Sequence, residues 1–437
     1  MLPLLGIAVP SAANAQANSS LATALGSAPS SDLEAFYGSR NYRPLWIQDG
    51  FVISEAEQLL DILRRADLDG MESGPELAHR LEDTIENARS GDPAQLRRVD
   101  LQLSNAWVDY VQTLRRPVDV GMVFLDRSLA PSAPSGSEIL RNLADAPSRG
   151  RHLEEVSSLN PLYSELREGL ASIRQNPQGR SPDAEQRLLI NMDRARALPA
   201  GRQGKYILVD AATQRLWMYE DGQVRDSMRV IVGKPDEQTP MLAGVIRYSV
   251  LNPYWNVPVD LARKRVAPAV LKEGLGYLQT KRYEILSDWT ENARVIDPET
   301  VDWEAVASGR TELRVRQLPG AGNSMGDMKF AFPNDYGVFL HDTPDKQLFS
   351  QADRSLSSGC VRVEDAARLA RWMFGTAPRV SSSSPEQKVA LAEPVPVYIT
   401  YLTAGWDGEK LALRRDFYGR DKAPKQLFAS NLSATAE

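Results

Sequence analysis

The sequence predicts an α+β protein, in which an N-terminal helical domain precedes a mostly β domain that carries an inserted subdomain. Three observations favour this fold class. Apolar residues recur at steps of three and four up to about residue 175, alternate with polar residues from Lys205 onwards, and lose that alternation at 253–316. The length of 437 residues accommodates two or three domains.

The helical domain is predicted to cover residues 29–175. Ser54 and Glu57 have the spacing of a capping box, in which the serine hydroxyl accepts from the Glu57 amide. Asp92 and Pro93 predict the start of a longer helix, with Asp92 as its N-cap. The apolar residues of that helix form a stripe typical of a core-facing surface: Leu96, Val99, Leu103, Trp107, Tyr110 and Leu114.

Residues 176–204 are predicted to form a linker and a connecting helix. The stretch 175–183 is polar and rich in Pro, Gly and Ser, which is typical of a connection between domains.

The mostly β domain is predicted to cover residues 205–424, with a tail at 425–437. Asp221-Gly222 is a typical hairpin turn between two alternating runs. The segment 253–316 is too long for an ordinary loop, so we expect an inserted subdomain that caps the domain. Alternation predicts strands at 205–210, 215–220, 223–232, 241–251, 394–402 and 410–418, and helical spacing predicts a helix at 364–374.

Composition excludes several classes of site. Lys and Arg number 51 against 57 Asp and Glu, a net charge of −6, so there is no bulk basic field to hold nucleic acid. Cys360 is the only cysteine, which excludes an internal disulfide framework and a cysteine-rich metal site. Three scattered histidines, at 79, 152 and 341, offer little for a histidine-based metal centre. Any cysteine chemistry must therefore be carried by Cys360.

The N-terminus predicts export. We expect residues 1–28 to be a signal peptide or a disordered leader, because an apolar stretch is followed by Ala13-Asn14-Ala15, a pattern that suits signal peptidase. The basic residues that usually open a signal peptide are missing, so a floppy hydrophobic terminus is the alternative. The rest of the chain has no apolar run near the ~18 residues that a membrane span needs. We therefore expect an exported, soluble protein of the periplasm.

Residues with nucleophilic chemistry lie between 341 and 362. His341 follows a short apolar run and is expected at a strand end, and Cys360 comes 19 residues later. A thiol must lose its proton to attack a carbonyl, and a nearby imidazole can take it. Gly359 permits a tight turn directly before the thiol, with amides that can face an oxyanion. From the residues alone, a small buried Cys360 without chemistry is an equal alternative.

The segment 341–363 resembles the active-site signature of the L,D-transpeptidases, which have a YkuD-type catalytic domain. That signature pairs a histidine with Ser/Thr-x-Gly-Cys, followed by an apolar residue and an arginine. The matching residues here are His341, Ser357, Gly359, Cys360, Val361 and Arg362. Further segments are similar to the large, YcbB-type branch of the family: 33–46, 252–258, 319–323, 329–334 and 413–421. The similarity covers about residues 32–424.

The resemblance implies a peptidoglycan L,D-transpeptidase that needs no metal or organic cofactor. Cys360 would attack the carbonyl that joins the L-centre of meso-diaminopimelate to the terminal D-Ala of a tetrapeptide stem. His341 would act as the base, and then as the acid for the leaving amine. The amides of Gly359 and Cys360 would form the oxyanion hole. The thioester would then pass to the side-chain amine of a second stem and give a 3→3 cross-link.

The resemblance also implies substrate-binding roles for Arg362, Ser358, Tyr336 and Trp255. Arg362 can make a two-pronged contact with a stem carboxylate, although a structural clamp is an equal alternative. For Tyr336 and Trp255 core packing is the alternative. The expected partners are peptidoglycan tetrapeptide stems, as donor and acceptor, and carbapenem-type β-lactams as inhibitors. We expect no nucleic-acid partner and a monomeric chain.

The sequence departs from the family pattern in two ways. Ser358 stands where many members have a histidine directly before Gly-Cys, although the large branch also commonly has serine there. The small helical peptidoglycan-binding domain of that branch has no room between 162 and 187. Two other functions stay open: hydrolysis at the same residues, as an L,D-carboxypeptidase or amidase, and a non-catalytic wall-binding scaffold.

Overall fold

The computed structural model describes residues 31–176, 181–201, 204–378, 384–406 and 408–422. The predicted leader at 1–28, the tail at 425–437 and part of the predicted linker at 177–180 lie outside the described residues. No helix in the described part of the chain is long and apolar enough to cross a membrane.

The helices and strands are numbered in chain order. The helices are α1 (Ser31–Ser39), α2 (Glu55–Arg64), α3 (Gly74–Asn87), α4 (Pro93–Leu114), α5 (Gly136–Asp145), α6 (Arg149–Ser158), α7 (Pro161–Gln175), α8 (Pro182–Arg196), α9 (Val259–Leu261), α10 (Ala267–Glu273), α11 (Gly276–Lys281), α12 (Trp303–Ser308) and α13 (Ala366–Phe374). The strands are β1 (Ile47–Gln48), β2 (Phe51–Val52), β3 (Val123–Phe124), β4 (Lys205–Asp210), β5 (Arg215–Glu220), β6 (Gln223–Gly233), β7 (Leu242–Leu251), β8 (Trp255–Val257), β9 (Tyr283–Leu286), β10 (Arg314–Gln317), β11 (Met328–Ala331), β12 (Leu340–His341), β13 (Ser355–Ser357), β14 (Val361–Val363), β15 (Gln387–Thr400), β16 (Ala404–Trp406) and β17 (Leu411–Leu413).

The chain divides into two compact units, one mainly helical and one mainly β, which confirms the predicted α+β class. Of the described residues, the helical unit contains those within 31–120, 131–201 and 404–413. The β unit contains those within 121–130, 204–403 and 414–422. The segment at 121–130 joins the β unit because β3 pairs in parallel with β7.

Two helix starts were predicted in the helical unit, and the structure confirms the one before α4. In α4, the Asp92 carboxylate accepts from the Gln95 amide at 2.9 Å with Pro93 at the first helical position, as predicted. The predicted capping box before α2 is wrong. The backbone of Ser54 is already helical and its hydroxyl donates to the Glu55 carboxylate, so it does not accept from the Glu57 amide.

The core of the helical unit contains the predicted stripe of α4, all of it buried. A carboxylate lies inside this core on the same helix. Asp100 is fully buried and accepts hydrogen bonds from the amides of Leu45 and Trp46, at 2.9 and 2.6 Å, and from the Tyr37 hydroxyl at 2.6 Å. The three donors are buried and have no water to bond instead, so their hydrogen bonds to this carboxylate hold the chain before β1 against α4.

The β unit is organised around one large sheet with the order β11-β12-β14-β6-β5-β4-β15-β7-β3. β11 also pairs with β7, and β13 pairs in parallel with β6. Asp221 and Gly222 both have positive φ, 52° and 75°, as the predicted hairpin turn between β5 and β6 requires. The predicted strand at 410–418 is wrong beyond Leu413, because the Asp416 carboxylate accepts from the amides of Arg420 and Asp421 and closes a turn there.

The inserted segment has a sheet and a core of its own. Its strands β8, β10 and β9 pair antiparallel in that order. The run from α9 to α10 continues through a π-helical turn at Ala262–Val266. The insert core is formed by Val257, Leu261, Ala262, Val266, Ala267, Val270, Leu278, Ile285, Trp303, Val306, Leu313 and Val315.

Candidate active site

Parallel pairing of β12 with β14 brings His341 beside the strand that begins directly after Cys360. Leu340 lies opposite Val361 and His341 opposite Arg362, and the Val361 amide donates to the carbonyl of Phe339 at 3.0 Å. Side chains alternate between faces along a strand, so Cys360, Arg362 and His341 share one face of the sheet. Val361 and Val363 point to the other face and are fully buried.

Gly359 forms the turn that precedes the thiol. Its φ is +108°, which a residue with a side chain rarely adopts. The Ser357 hydroxyl closes the turn, since it donates to the Cys360 carbonyl at 2.6 Å and accepts from the Gly359 amide at 3.2 Å. Within the described residues the Cys360 amide has no acceptor. The Cys360 amide is therefore open to an oxyanion, whereas the Gly359 amide must first leave Ser357.

A buried hydroxyl pair supports this turn from behind, and sequence analysis missed it. The Thr239 hydroxyl donates to the Gly359 carbonyl at 2.8 Å and accepts from the Gly233 amide at 2.8 Å. The Tyr418 hydroxyl donates to the Gly233 carbonyl at 2.6 Å and accepts from the Thr239 amide at 3.2 Å. Tyr418 belongs to the segment 413–421, whose family resemblance was the one available signal.

His341 is held as a neutral base. Only 4% of the residue is exposed, and the Asp342 carbonyl oxygen lies 2.6 Å from Nδ1. A carbonyl can only accept, so Nδ1 carries the proton and the lone pair of the neutral ring lies on Nε2. Burial and then the Arg362 charge lower the pKa of His341 from 6.5 to about 4, against the opposing effects of the Asp342 carbonyl, the Asp342 charge and the Met325 backbone.

Cys360 is half-buried and is held as a neutral thiol. Burial raises the pKa of Cys360 above its ordinary value of 9.0, while the Phe339 backbone and the Arg362 charge act in the opposite direction. Its Sγ donates to the Gly337 carbonyl at 3.4 Å. In the described residues no hydrogen bond joins Sγ to the imidazole, so the thiol must turn away from Gly337 to pass its proton to His341.

The residues with predicted substrate-binding roles lie at different distances from this pair. The Arg362 side chain is 21% exposed, and its Nη1 lies 3.7 Å from the Asp345 carboxylate. Tyr336 is 54% exposed and directly precedes Gly337, whose carbonyl accepts the hydrogen bond of the thiol. Trp255 is half-buried in β8 of the insert. Its ring lies 6.3 Å from that of Tyr283, so it packs within the insert.

Ser358 connects the thiol turn to the insert. Its hydroxyl accepts from Arg265 Nη2 at 2.8 Å, and the same nitrogen donates to the Glu237 carboxylate at 3.0 Å. Sequence analysis did not identify Arg265 or Glu237 as site residues. The available signal was the basic run at 263–265 within the predicted cap.

The described residues contain no group of three or more His, Cys, Asp or Glu side chains arranged to hold a metal ion.

Comparisons with known proteins agree with this geometry. Residues 204–397 match the YkuD family model, described as the L,D-transpeptidase catalytic domain, and residues 31–170 match the Scaffold domain model. A curated Haemophilus influenzae protein, named provisionally as an L,D-transpeptidase, is 29% identical over 403 residues, which cover 89% of this chain and 78% of that protein.

Two solved L,D-transpeptidases align with about half of this chain. The Mycobacterium smegmatis enzyme aligns at 13% identity over 46% of this chain and 60% of its own, with a TM-score of 0.24. A cysteine-to-serine mutant of the Enterococcus faecium enzyme aligns at 14% identity over 45% of this chain and 50% of its own, with a TM-score of 0.22. The two family models thus place a Scaffold domain ahead of a YkuD-type L,D-transpeptidase catalytic domain in this chain, and the curated relative is similar to it over both domains.

Proposed function

We propose that the protein forms 3→3 cross-links between meso-diaminopimelate residues of peptidoglycan through a thioester on Cys360. The observation that carries the proposal is the β12–β14 register, in which His341 lies opposite Arg362, two residues after Cys360. The Asp342 carbonyl leaves the imidazole lone pair on Nε2, where a general base needs it.

The first half of the reaction forms the acyl-enzyme. The thiol proton passes to His341 Nε2 while Sγ bonds to the carbonyl carbon between meso-diaminopimelate and D-Ala. The carbonyl oxygen takes the negative charge and accepts from the Cys360 amide. Collapse of this intermediate breaks the C–N bond, and His341 gives its proton to the departing D-Ala amine. The products are free D-Ala and a thioester.

The second half transfers the acyl group. A neutral side-chain amine of a second stem attacks the thioester carbonyl and loses a proton to His341. The C–S bond then breaks, and His341 returns the proton to the sulfur. Because the pKa of His341 is held near 4, the imidazole is ready as a base at neutral pH.

The proposed setting is the periplasm, reached through the predicted leader at 1–28. Carbapenems are proposed inhibitors, because their strained carbonyl is an acyl donor of the same kind. Attack of Sγ on the lactam carbonyl would break the C–N bond of the ring and form a thioester, with the released amine still tethered to the acyl group.

The test incubates the purified chain with disaccharide tetrapeptide and follows the products by mass spectrometry. A cross-linked dimer together with one released D-Ala supports transpeptidation. Tripeptide without dimer shows hydrolysis, and the absence of any acyl-enzyme shows a non-catalytic protein.

Cys360→Ala is the matched control, because it removes the thiol and leaves the turn and its hydrogen bonds in place. We expect this variant to fold normally and to form neither dimer nor carbapenem adduct. A covalent adduct that persists in Cys360→Ala would rule out Cys360 as the nucleophile.

A further inference from the structure

We propose that Arg265 binds a carboxylate on the part of the donor stem that stays attached to the enzyme. This inference rests on the proposed function, since it assigns a substrate contact at the same site. It adds a specificity-determining residue from the insert, outside the His341–Arg362 signature.

Arg265 is held through its Nη2, while the rest of its guanidinium is available to a ligand. Its Nη2 donates to Ser358 Oγ at 2.8 Å and to Glu237 Oε2 at 3.0 Å. The Glu237 side chain is only 17% exposed, whereas that of Arg265 is 45% exposed. Within the described residues Nη1 and Nε of Arg265 have no acceptor. A guanidinium held in this way presents its remaining donors in a set direction, which suits two-pronged recognition of a carboxylate.

The backbone around Arg265 accounts for its direction. Residues Ala262–Val266 form a π-helical turn, a distortion that is frequent at functional sites. The neighbouring Lys264 pairs with Asp260 of its own helical run, at 3.4 Å. Arg265 alone of the basic run at 263–265 contacts the thiol turn among the described residues.

The charges near the thiol turn favour an anionic ligand. Lys234 and Arg265 lie 3.7 and 3.0 Å from Glu237, so two cations share one carboxylate. Among the described residues Arg362 forms an ion pair only with Asp345, at 3.7 Å. These five side chains thus comprise three cations and two anions, and a substrate carboxylate would complete the pairing.

The direction of the reaction decides which part of the stem faces Arg265. His341 must protonate the leaving amine, and Arg362 lies opposite His341 in the strand register. We therefore assign the leaving D-Ala to the side of His341 and Arg362, where its amine can receive the proton. The retained portion is assigned to the other side of Cys360, where Arg265 contacts Ser358. That portion carries two carboxylates, one on the D-glutamyl residue and one on the D-centre of meso-diaminopimelate.

The test measures binding to the full chain carrying Cys360→Ala, so that no acyl transfer is needed. The probes are the tetrapeptide with both retained carboxylates free and two versions in which one or the other is amidated. We expect one amidated version to bind about tenfold more weakly, as loss of a charged hydrogen bond predicts. The version affected identifies the carboxylate.

Adding Arg265→Gln should weaken binding of the free-acid peptide about tenfold and abolish the discrimination, with Arg265→Lys intermediate. Lys264→Gln is the matched control, since it removes a neighbouring charge that does not contact Ser358. The inference would be overturned if the Cys360→Ala chain bound the free-acid and amidated peptides equally well. It would also be overturned if the difference between these peptides survived Arg265→Gln. Cross-linking by the reactive chain is scored separately, so loss of the proposed function and loss of this site give different results.

Discussion

Thr239→Val tests whether the hydroxyl behind the thiol turn positions the nucleophile. Valine has nearly the shape of threonine, so the change removes the hydroxyl without opening a cavity. Two buried backbone groups lose their partner, the Gly233 amide and the Gly359 carbonyl, each at 2.8 Å from Oγ1.

The expected loss of unfolding free energy follows from these two hydrogen bonds. A buried backbone group left without a partner costs about 1–3 kcal/mol, so the variant should lose about 2–6 kcal/mol of unfolding free energy. If the turn relaxes to recover those bonds, the Cys360 amide moves away from the oxyanion position. Loss of one such donor typically costs about 10²–10³-fold in rate. We therefore expect slower acylation as well as lower stability.

The assay combines urea unfolding with the rate of carbapenem acylation, followed by absorbance of the lactam. Thr239→Ser is the matched control, because it keeps the hydroxyl and loses one methyl group, at a cost of about 1 kcal/mol. If the valine variant matches the serine variant in both stability and acylation rate, the supporting role of Thr239 is refuted.

Three further predictions concern charged groups. Arg362→Gln should raise the pKa of both Cys360 and His341, because the arginine charge lowers both values. The pH dependence of iodoacetamide alkylation reports the pKa of Cys360, and NMR of the imidazole reports that of His341. Unchanged pKa values in the variant would contradict this role of the arginine charge. His341 binds its proton less tightly in the folded chain, with a pKa of about 4 against 6.5, so its contribution to stability is full above pH 6.5 and falls by about 3 kcal/mol as the pH drops to 4. His341→Gln should remove that loss in urea unfolding at the two pH values, and an unaltered pH dependence contradicts it. Asp100→Ala should lower the unfolding free energy by several kcal/mol, about 1–3 kcal/mol for each buried donor left unpaired. Asp100→Asn should cost less, because it keeps an acceptor for the Trp46 amide. Equal losses of the two variants in calorimetry would count against this network.

The features that sequence predicted correctly depend on local signals. The start of α4 follows from Asp92 and Pro93 alone, and the β5–β6 hairpin follows from Asp221-Gly222. The buried stripe of α4 needs only helical spacing. Each of these involves residues within one or two turns of each other, so their physics is contained in a short segment.

The features that sequence missed depend on distant residues or on the backbone. Thr239 and Tyr418 are 179 positions apart, and Arg265 and Ser358 are 93 apart, so no local pattern joins either pair. Ser54 has the residues of a capping box, but its backbone is already helical, which turns the hydroxyl away from the amide it should cap. In each case the contact is decided by the fold around the residue.

The resting site has a physical consequence for how the lone thiol would survive in the proposed periplasmic setting. Burial raises the pKa of Cys360 and lowers that of His341, so both are neutral at pH 7. Burial opposes both a thiolate and an imidazolium, while the smaller effect of Arg362 favours the thiolate and opposes the imidazolium. A neutral thiol reacts slowly with oxidants and alkylating agents. In the proposed reaction an acyl donor differs, because the Cys360 amide would stabilise its carbonyl oxygen as the proton moves to His341. The reactive charge therefore develops only when a substrate carbonyl occupies the site, which couples deprotonation of the thiol to the bond that it forms.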